Sequence, residues 1–318
     1  MAVPPLRYLS AAEVDGCLPP VGERLDLAAR ALSALGRGVA EMPPKIGVHP
    51  RPGALLHAMP AWLREGDLVG MKWVAAFPGN RAHGLAAISG LVVLNDPETG
   101  VPTWIMEAGR ITAVRTAAVS GVAIRTFRPA NVERVAILGA GVQARSHVEI
   151  VAALLPEAEI VVFDRHPDRA QAVVDQARAA GGRAALAESA EAANRTAQVV
   201  ISVATLGSGS QVMESDWLAP GALMVAVDFA TYASAALARS VHSFVVDDRA
   251  QFLTYREAGY FDGYPDPAAT MGELLDAGGT GALPALVTHL GVGLADVILA
   301  DAIRRRAEES GAGMELPR

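Results

Sequence analysis

One stretch, Val132 to Arg165, restricts what this chain can fold into more than any other. A β-rich apolar run from Val132 to Leu138 breaks into Gly139-Ala140-Gly141-Val142-Gln143-Ala144. A helical pattern follows from about Ala144 to Leu155, and a second apolar run, Ile160 to Phe163, ends on Asp164. Strand, glycine turn, helix, strand and acid, in that order, make the G-x-G-x-x-G/A unit that cradles a dinucleotide. Gly139 permits the tight turn, Gly141 lets backbone approach a pyrophosphate, and Ala144 keeps the helix close to the strand. The first helical turn, with Val142 and Gln143, offers N–H groups and the positive end of a helix dipole to the phosphates. Asp164 is placed to accept both ribose hydroxyls, and its charge opposes a 2′-phosphate, so NAD is expected over NADP. The adjacent Arg165 offsets part of that repulsion.

The rest of the second half repeats the alternation. Apolar runs at 198–203, 223–227 and 244–246 are separated by helical patterns such as 167–180 and 187–195. Strands alternating with helices predict an α/β, doubly wound parallel sheet of the Rossmann kind. The first 120 residues or so read differently. Ser10 and Glu13 form a capping-box pair at a helix start, and a helix is expected from about Gly22 to Gly36. Strands are expected at 55–59, ended by Pro60, and at 68–76, 85–95 and 102–107, with a turn at Asp96–Gly100. This is hairpin spacing in an α+β unit. A helix over Arg110–Arg125 leads into the second half. A last helix, about Leu294 to Ser310, stops at Gly311, and the tail from Glu315 is expected to be frayed.

Composition removes several function classes. The 318 residues suffice for two domains, and a net charge of −7 does not suit a nucleic-acid surface. The one cysteine, Cys17, excludes an internal disulfide framework, and the seven histidines show no ligand spacing, so no metal site is expected. No apolar run approaches the ~18 residues of a membrane helix and no signal peptide is seen, so a cytoplasmic location is expected.

Outside the glycine turn, a few polar residues stand out by context. Lys72 interrupts an otherwise apolar strand, G-M-K-W-V-A, and a buried lysine needs a partner. It reads either as a strand-edge cation reaching outward or as a group that binds a carboxylate or donates a proton. Arg115 lies among small residues of the 112–118 helix, where another molecule can approach closely or an ion pair can form. Lys45 follows a rigid Pro-Pro pair. Asp228 and Thr205 end apolar strands, and ligands of doubly wound sheets sit at such carboxyl ends. His57 and His289 are isolated histidines.

At these residues the chain resembles the ornithine cyclodeaminase/μ-crystallin family. The resemblance is carried by M-P-P-K (42–45), A-M-P-A (58–61), the Lys72 strand, F-P-G-N (77–80), T-G-V-P (99–102), I-T-A-V-R-T-A-A-V-S (111–120), I-L-G-A-G-V-Q-A (137–144) and G-L-A-D (293–296). It implies a Rossmann NAD-binding domain over 120–294 and a substrate-binding, dimerising domain built from both chain ends, 1–119 and 295–318. It implies that Lys72 and Arg115 bind a substrate carboxylate, with Lys45 assisting. It also makes Asp164, Thr205 and Val225 to Asp228, Val227 included, cofactor contacts, and puts His289-Leu290 near the nicotinamide, Leu290 toward the substrate. The implied assembly is a homodimer acting on a small molecule, with neither nucleic acid nor membrane as partner.

Two departures bear on the reaction. Cyclodeaminases carry a glutamate where this chain has His57, and a catalytic aspartate aligning near Ala230; here Asp228 stands two residues earlier. Both departures favour an NAD(H)-dependent imine reductase or amino-acid dehydrogenase, interconverting a 2-imino acid and an L-amino acid. Lys72 is then the first candidate proton donor, with His57 second and Asp228 a further catalytic candidate. Lys45, Arg51, His57, Arg81 and His83 add cations that could accept a second carboxylate, as in iminosuccinate. The alternatives are a cyclodeaminase that recycles its NAD and a non-enzymatic μ-crystallin-like ligand binder.

Overall fold

The computed structural model describes residues 4–129, 131–205, 210–278 and 281–317. The chain forms two compact units, residues 1–115 with 292–318 and residues 116–291. In chain order the first unit holds β1 (Leu6–Leu9), α1 (Ala11–Gly16), α2 (Val21–Gly36), β2 (Ala40–Glu41), β3 (Ile46–Val48), β4 (Leu55–Leu63), β5 (Leu68–Ala76), β6 (Ile88–Asn95) and β7 (Pro102–Glu107). Helix α3 (Ala108–Phe127) carries the division within it, after Arg115.

The second unit holds β8 (Arg134–Leu138), α4 (Val142–Leu154), β9 (Glu159–Phe163), α5 (Pro167–Ala179), β10 (Arg183–Leu186), α6 (Ala190–Arg195), β11 (Val199–Ser202), β12 (Leu223–Ala226), α7 (Ala235–Ser240), β13 (Ser243–Val246), α8 (Arg249–Glu257), β14 (Ala269–Thr270), α9 (Met271–Asp276) and β15 (Ala285–Thr288). The chain then returns to the first unit with α10 (Gly293–Ser310) and β16 (Met314–Leu316).

The second unit is the expected doubly wound sheet. Its strands are all parallel, in the order β10-β9-β8-β11-β12-β15-β13-β14. Every residue of β11, β12 and β15 is buried, as befits strands covered on both faces. The order reverses between β8 and β11, so a crevice opens beyond the carboxyl ends of those two strands. Strand β10 is absent from the sequence-based expectation because R-A-A-L is alanine-rich and favours helix in isolation; pairing with β9 overrides that preference.

The first unit's sheet runs β16-β1-β7-β6-β5-β4-β2, with β3 also on β4. Helix α10 packs on β4, β5, β6 and α2, which covers one face. The capping box at Ser10 and Glu13 forms as expected. Two expectations are corrected. Strand β4 continues through Pro60 to Leu63. On its far edge β3 pairs with 56–58 and β2 with 62–63, so proline lies between them and costs no ladder bond there. The tail is not frayed: β16 pairs antiparallel with β1. The compact units divide at 115/116 and 291/292, within a few residues of the expected 119/120 and 294/295.

Candidate functional sites in the two units

In the second unit the glycine turn follows β8 directly. Gly139 has φ +111°, and a Cβ there would lie 2.8 Å from the Val203 carbonyl oxygen and 3.0 Å from the Ala204 nitrogen, so only glycine fits. Gly141 differs in kind. It caps α4 without a side-chain bond, and a Cβ there would meet nothing within 4 Å. The protein's own packing therefore does not demand glycine at 141; the space lies open at the N-terminus of α4, where a phosphate group fits. Val142 is exposed at the first helical position, Gln143 is half-buried, and Ala144 is fully buried where α4 meets the sheet.

Asp164 is pinned across this turn. Its Oδ2 accepts the Ala140 N–H and its Oδ1 the His166 N–H, both at 2.8 Å. It lines a polar cavity with Gly139, Arg165, Arg169, Thr205 and Tyr232. Asp228 lies at the neighbouring strand end but is turned inward. Its Oδ1 accepts the Ser202 hydroxyl at 2.8 Å and its Oδ2 the Ala204 N–H at 3.1 Å, tying the ends of β11 and β12 together. Burial pushes its carboxyl up to about 7, against the lowering effect of those donors. Val227 donates its N–H to the Ser202 carbonyl at 2.9 Å in the same junction. Phe229 follows with φ +58°, held among Tyr255, Tyr260 and Phe261 at ring separations of 5.2–5.7 Å. A bulky residue at positive φ is strained, so this aromatic packing fixes the turn after Asp228.

His289, after β15, belongs to a buried polar line. His147 Nδ1 lies 2.7 Å from the Gln143 carbonyl, which can only accept, so this nitrogen carries the proton. Its Nε2 therefore accepts the Ser120 hydroxyl at 2.8 Å. Ser120 Oγ in turn accepts His289 Nε2–H at 2.8 Å, which sets the tautomer of His289. Burial holds His147 at about 4, so it stays neutral in this role. Leu290 and Gly291 donate their N–H groups to Asp247 Oδ2 at 2.8 Å each, which locks the loop after His289.

The first unit brings together residues far apart in sequence. Lys72 is 1% exposed on the helix-covered face of β5, and its Nζ lies 2.8 Å from Asp296 Oδ2. Arg115 Nε donates to Asp296 Oδ1, also at 2.8 Å. Arg115 Nη1 is buried and has no hydrogen-bond partner among the described residues. Burial first, and then the Arg115 charge, bring Lys72 down to about 7; Asp296 opposes them and Lys45 adds to them. His57, on the buried face of β4, is brought to about 4 by burial and then by Lys45, His49 and Lys72. Its ring occupies the space a Cβ on Gly47 would fill, at 2.3 Å from His57 Cδ2. His49 stacks edge-on against it at 6.4 Å. Lys45 is half-buried, whereas Arg51 and His83 are exposed; Arg51 donates to the Pro50 carbonyl. The Arg81 side chain lies outside the described ones.

Sequence reasoning missed Asp296, Ser202, Ser120, His147 and Asp247 as site residues. Asp296 carried a signal of its own: it is the lone charge in G-L-A-D-V-I-L-A, as Lys72 is in its strand.

A doubly wound sheet with a glycine turn and a pinned acid, joined to an α+β unit that encloses two cations, defines a two-unit protein of dinucleotide-enzyme type. The chain belongs to the ornithine cyclodeaminase/mu-crystallin family, whose model matches residues 9–308. It is 35% identical over 319 residues to the nodulation efficiency protein NfeD of Rhizobium meliloti, covering 98% of each chain. Its fold is similar to that of Thermococcus litoralis Δ1-pyrroline-2-carboxylate reductase, solved with NADH and L-proline (TM-score 0.87, 25% identity, 98% of this chain and 100% of that one). It is likewise similar to an archaeal alanine dehydrogenase dimer with bound NAD (TM-score 0.85, 25% identity, 98% and 99%). Among the described residues no helix is long and apolar enough to cross a membrane.

Proposed function

We propose that the chain is an NAD(H)-dependent reductase that converts a 2-imino acid to an L-amino acid, or runs the reverse oxidation. The observation that carries this reading is Arg115 Nη1, a buried guanidinium donor with no acceptor among the described residues, in a side chain that shares Asp296 with Lys72. An unsatisfied buried charge donor is costly, and a ligand carboxylate satisfies it with a bidentate geometry arginine favours. The reductase and dehydrogenase named above act on imine and amino-acid substrates, and they support the same reading.

The residues divide the work. Arg115 and Lys72, with Lys45 assisting, hold the α-carboxylate. Lys72, at about 7, can donate a proton to the imine nitrogen near neutral pH. His57, at about 4, is largely deprotonated there, so it is the weaker donor and serves better as a neutral hydrogen-bonding group. The turn at Gly139–Ala144 and Asp164 fit NAD, with Thr205, Val227 and His289 along the same row of strand ends; Leu290, next to His289, is the substrate contact the resemblance implies. Bound NADH would supply the hydride to the imine carbon. Asp228 acts here through the strand junction, since both its oxygens are engaged. Lys45, with His57 beside it as a neutral hydrogen-bonding group, favours a substrate with a second carboxylate, such as iminosuccinate.

A second copy of the chain completes the reading. The face of β4, β5 and β6 opposite α10 presents Leu56, Ala58, Met71, Trp73, Leu91 and Val93, with Trp73 38% and Leu91 39% exposed. An antiparallel sheet that is apolar on both faces calls for a cover on each. Sedimentation of the wild type and Trp73→Glu tests this; a dimer that dissociates in the variant is expected.

The deciding experiment follows NADH oxidation with glyoxylate, pyruvate, oxaloacetate and cyclic imines, each with and without ammonia or methylamine. Turnover that needs the amine, or a cyclic imine, supports the reductase. Ammonia release from an amino acid with no net change in NADH would select the cyclodeaminase reading. Tight NADH binding with no turnover would select a ligand-binding protein.

A further inference from the structure

We propose that Asp296 is a positioning residue that couples the protonation of Lys72 to the arrival of the substrate carboxylate. This inference rests on the reductase reading above and adds to it a proton taken up on binding.

The geometry sets the charge count. Asp296 is fully buried on α10, and each of its oxygens meets one cation at 2.8 Å. One carboxylate therefore serves two cations, and the buried cluster lacks one negative charge. The groups that face Lys72 are Arg115 from α3, Asp296 from α10, Lys45 from the segment before β3 and His57 from β4; β6 sets Val92 opposite it. All except Asp296 are cationic or neutral. The free site is then a place where Lys72 gives up its proton near neutral pH, and burial together with Arg115 is the reason.

A substrate carboxylate seated on Arg115 brings the missing charge. It favours the ammonium form of Lys72, so binding takes up a proton whenever the free-site lysine is already neutral. The sign is definite. Well below pH 7 Lys72 is charged before the ligand arrives, and no proton is taken up. Above pH 7 uptake approaches one proton, and the Kd of a carboxylate rises about tenfold per pH unit until the pKa of the complex is reached. His57 is neutral across this window and does not contribute. The consequence for the reaction is that the donor is loaded by the substrate itself. Lys72 then gives its proton to the imine nitrogen and is left neutral, while bound NADH would supply the hydride that the imine carbon needs.

The test is calorimetric titration of the NADH-loaded protein with pyruvate, pyrrole-2-carboxylate and succinate, none of which titrates between about pH 6.5 and 8.5. Buffers of different ionisation enthalpy report the protons taken up. Wild type is expected to take up few protons at the acid end and nearly one at the alkaline end. In Asp296→Asn the loss of the neighbouring negative charge lowers the Lys72 value in the free site and in the complex alike, so the pH at which uptake reaches half a proton moves well below 7. A purely structural role for Asp296 would change affinity but not this stoichiometry. Lys72→Met abolishes uptake. Should Asp296→Asn not fold, the wild-type pH series with Lys72→Met still decides. A carboxylate that binds with the same proton count at both ends of the range overturns this inference and leaves the reductase reading standing. Failure of all three probes to bind overturns both.

Discussion

Asp296 in the first unit and Asp228 in the second are equally buried, yet their partners differ in kind. Asp296 is met by two full cations, Lys72 and Arg115. Asp228 is met by a hydroxyl and a backbone N–H, both neutral. The first arrangement leaves cationic donors in excess, and the excess points to an anionic ligand. The second satisfies the carboxylate within the fold, and burial then dominates its protonation. A buried acid surrounded by charge thus reads as part of a binding site, and one surrounded by dipoles reads as a strap between strand ends. Asp164 stands between them: half-buried, held by two backbone N–H groups, and facing a cavity.

The largest effects are expected where the charge count is broken. Arg115→Ala or Lys72→Ala leaves buried charge with fewer partners and removes a carboxylate contact. The expected loss is about 2–5 kcal/mol in transition-state binding, read as kcat/KM on the best substrate from the imine screen. Retained turnover in both variants would remove the site assignment and the contrast with Asp228.

A smaller, pH-dependent effect is expected at Asp228. Its carboxyl sits higher in the fold than in the unfolded chain, so the folded state binds the extra proton between about pH 4 and 7. The stability this group contributes is therefore greatest at low pH and is lost as pH rises through 7, by at most about 1.4 kcal/mol per pH unit. Chemical denaturation of wild type and Asp228→Asn across that range checks this. The variant, which does not titrate, should gain on the wild type as pH rises, and parallel curves would mean that Asp228 is ionised throughout.

The smallest expected effect is at Asp164. Asp164→Ser removes one negative charge from a solvent-facing cavity that keeps Arg165 and Arg169. The ratio of Kd values for NADPH and NADH should fall by about fivefold, on the order of the roughly 1 kcal/mol between charges 4 Å apart in water. An unchanged ratio would show that the acid acts only on the glycine turn, as a strap like Asp228.

How far these features were legible in sequence follows from their range. The glycine unit is local, and Gly139, Ala144 and Asp164 fall where strand–turn–helix–strand order puts them. Lys72 was legible as a charge in an apolar strand, but its partner was not: Asp296 is 181 residues beyond Arg115, and no local pattern joins them. The line from Gln143 through His147 and Ser120 to His289 is equally non-local, since it links α3, α4 and the end of β15. Strand β16 was missed because its pairing with β1 supplies the order that its own residues do not.

The same separation has a consequence for synthesis. Residues 116–291 form a compact unit that is complete before α10 is made. The first unit is interrupted by it, and α10, which covers the sheet and carries Asp296, follows only after residue 291. On the ribosome, Lys72 and Arg115 therefore wait for their shared anion until residue 296 has been translated, and a chain stopped before residue 292 would hold a finished nucleotide fold and a first-unit sheet that lacks α10 and its carboxylate.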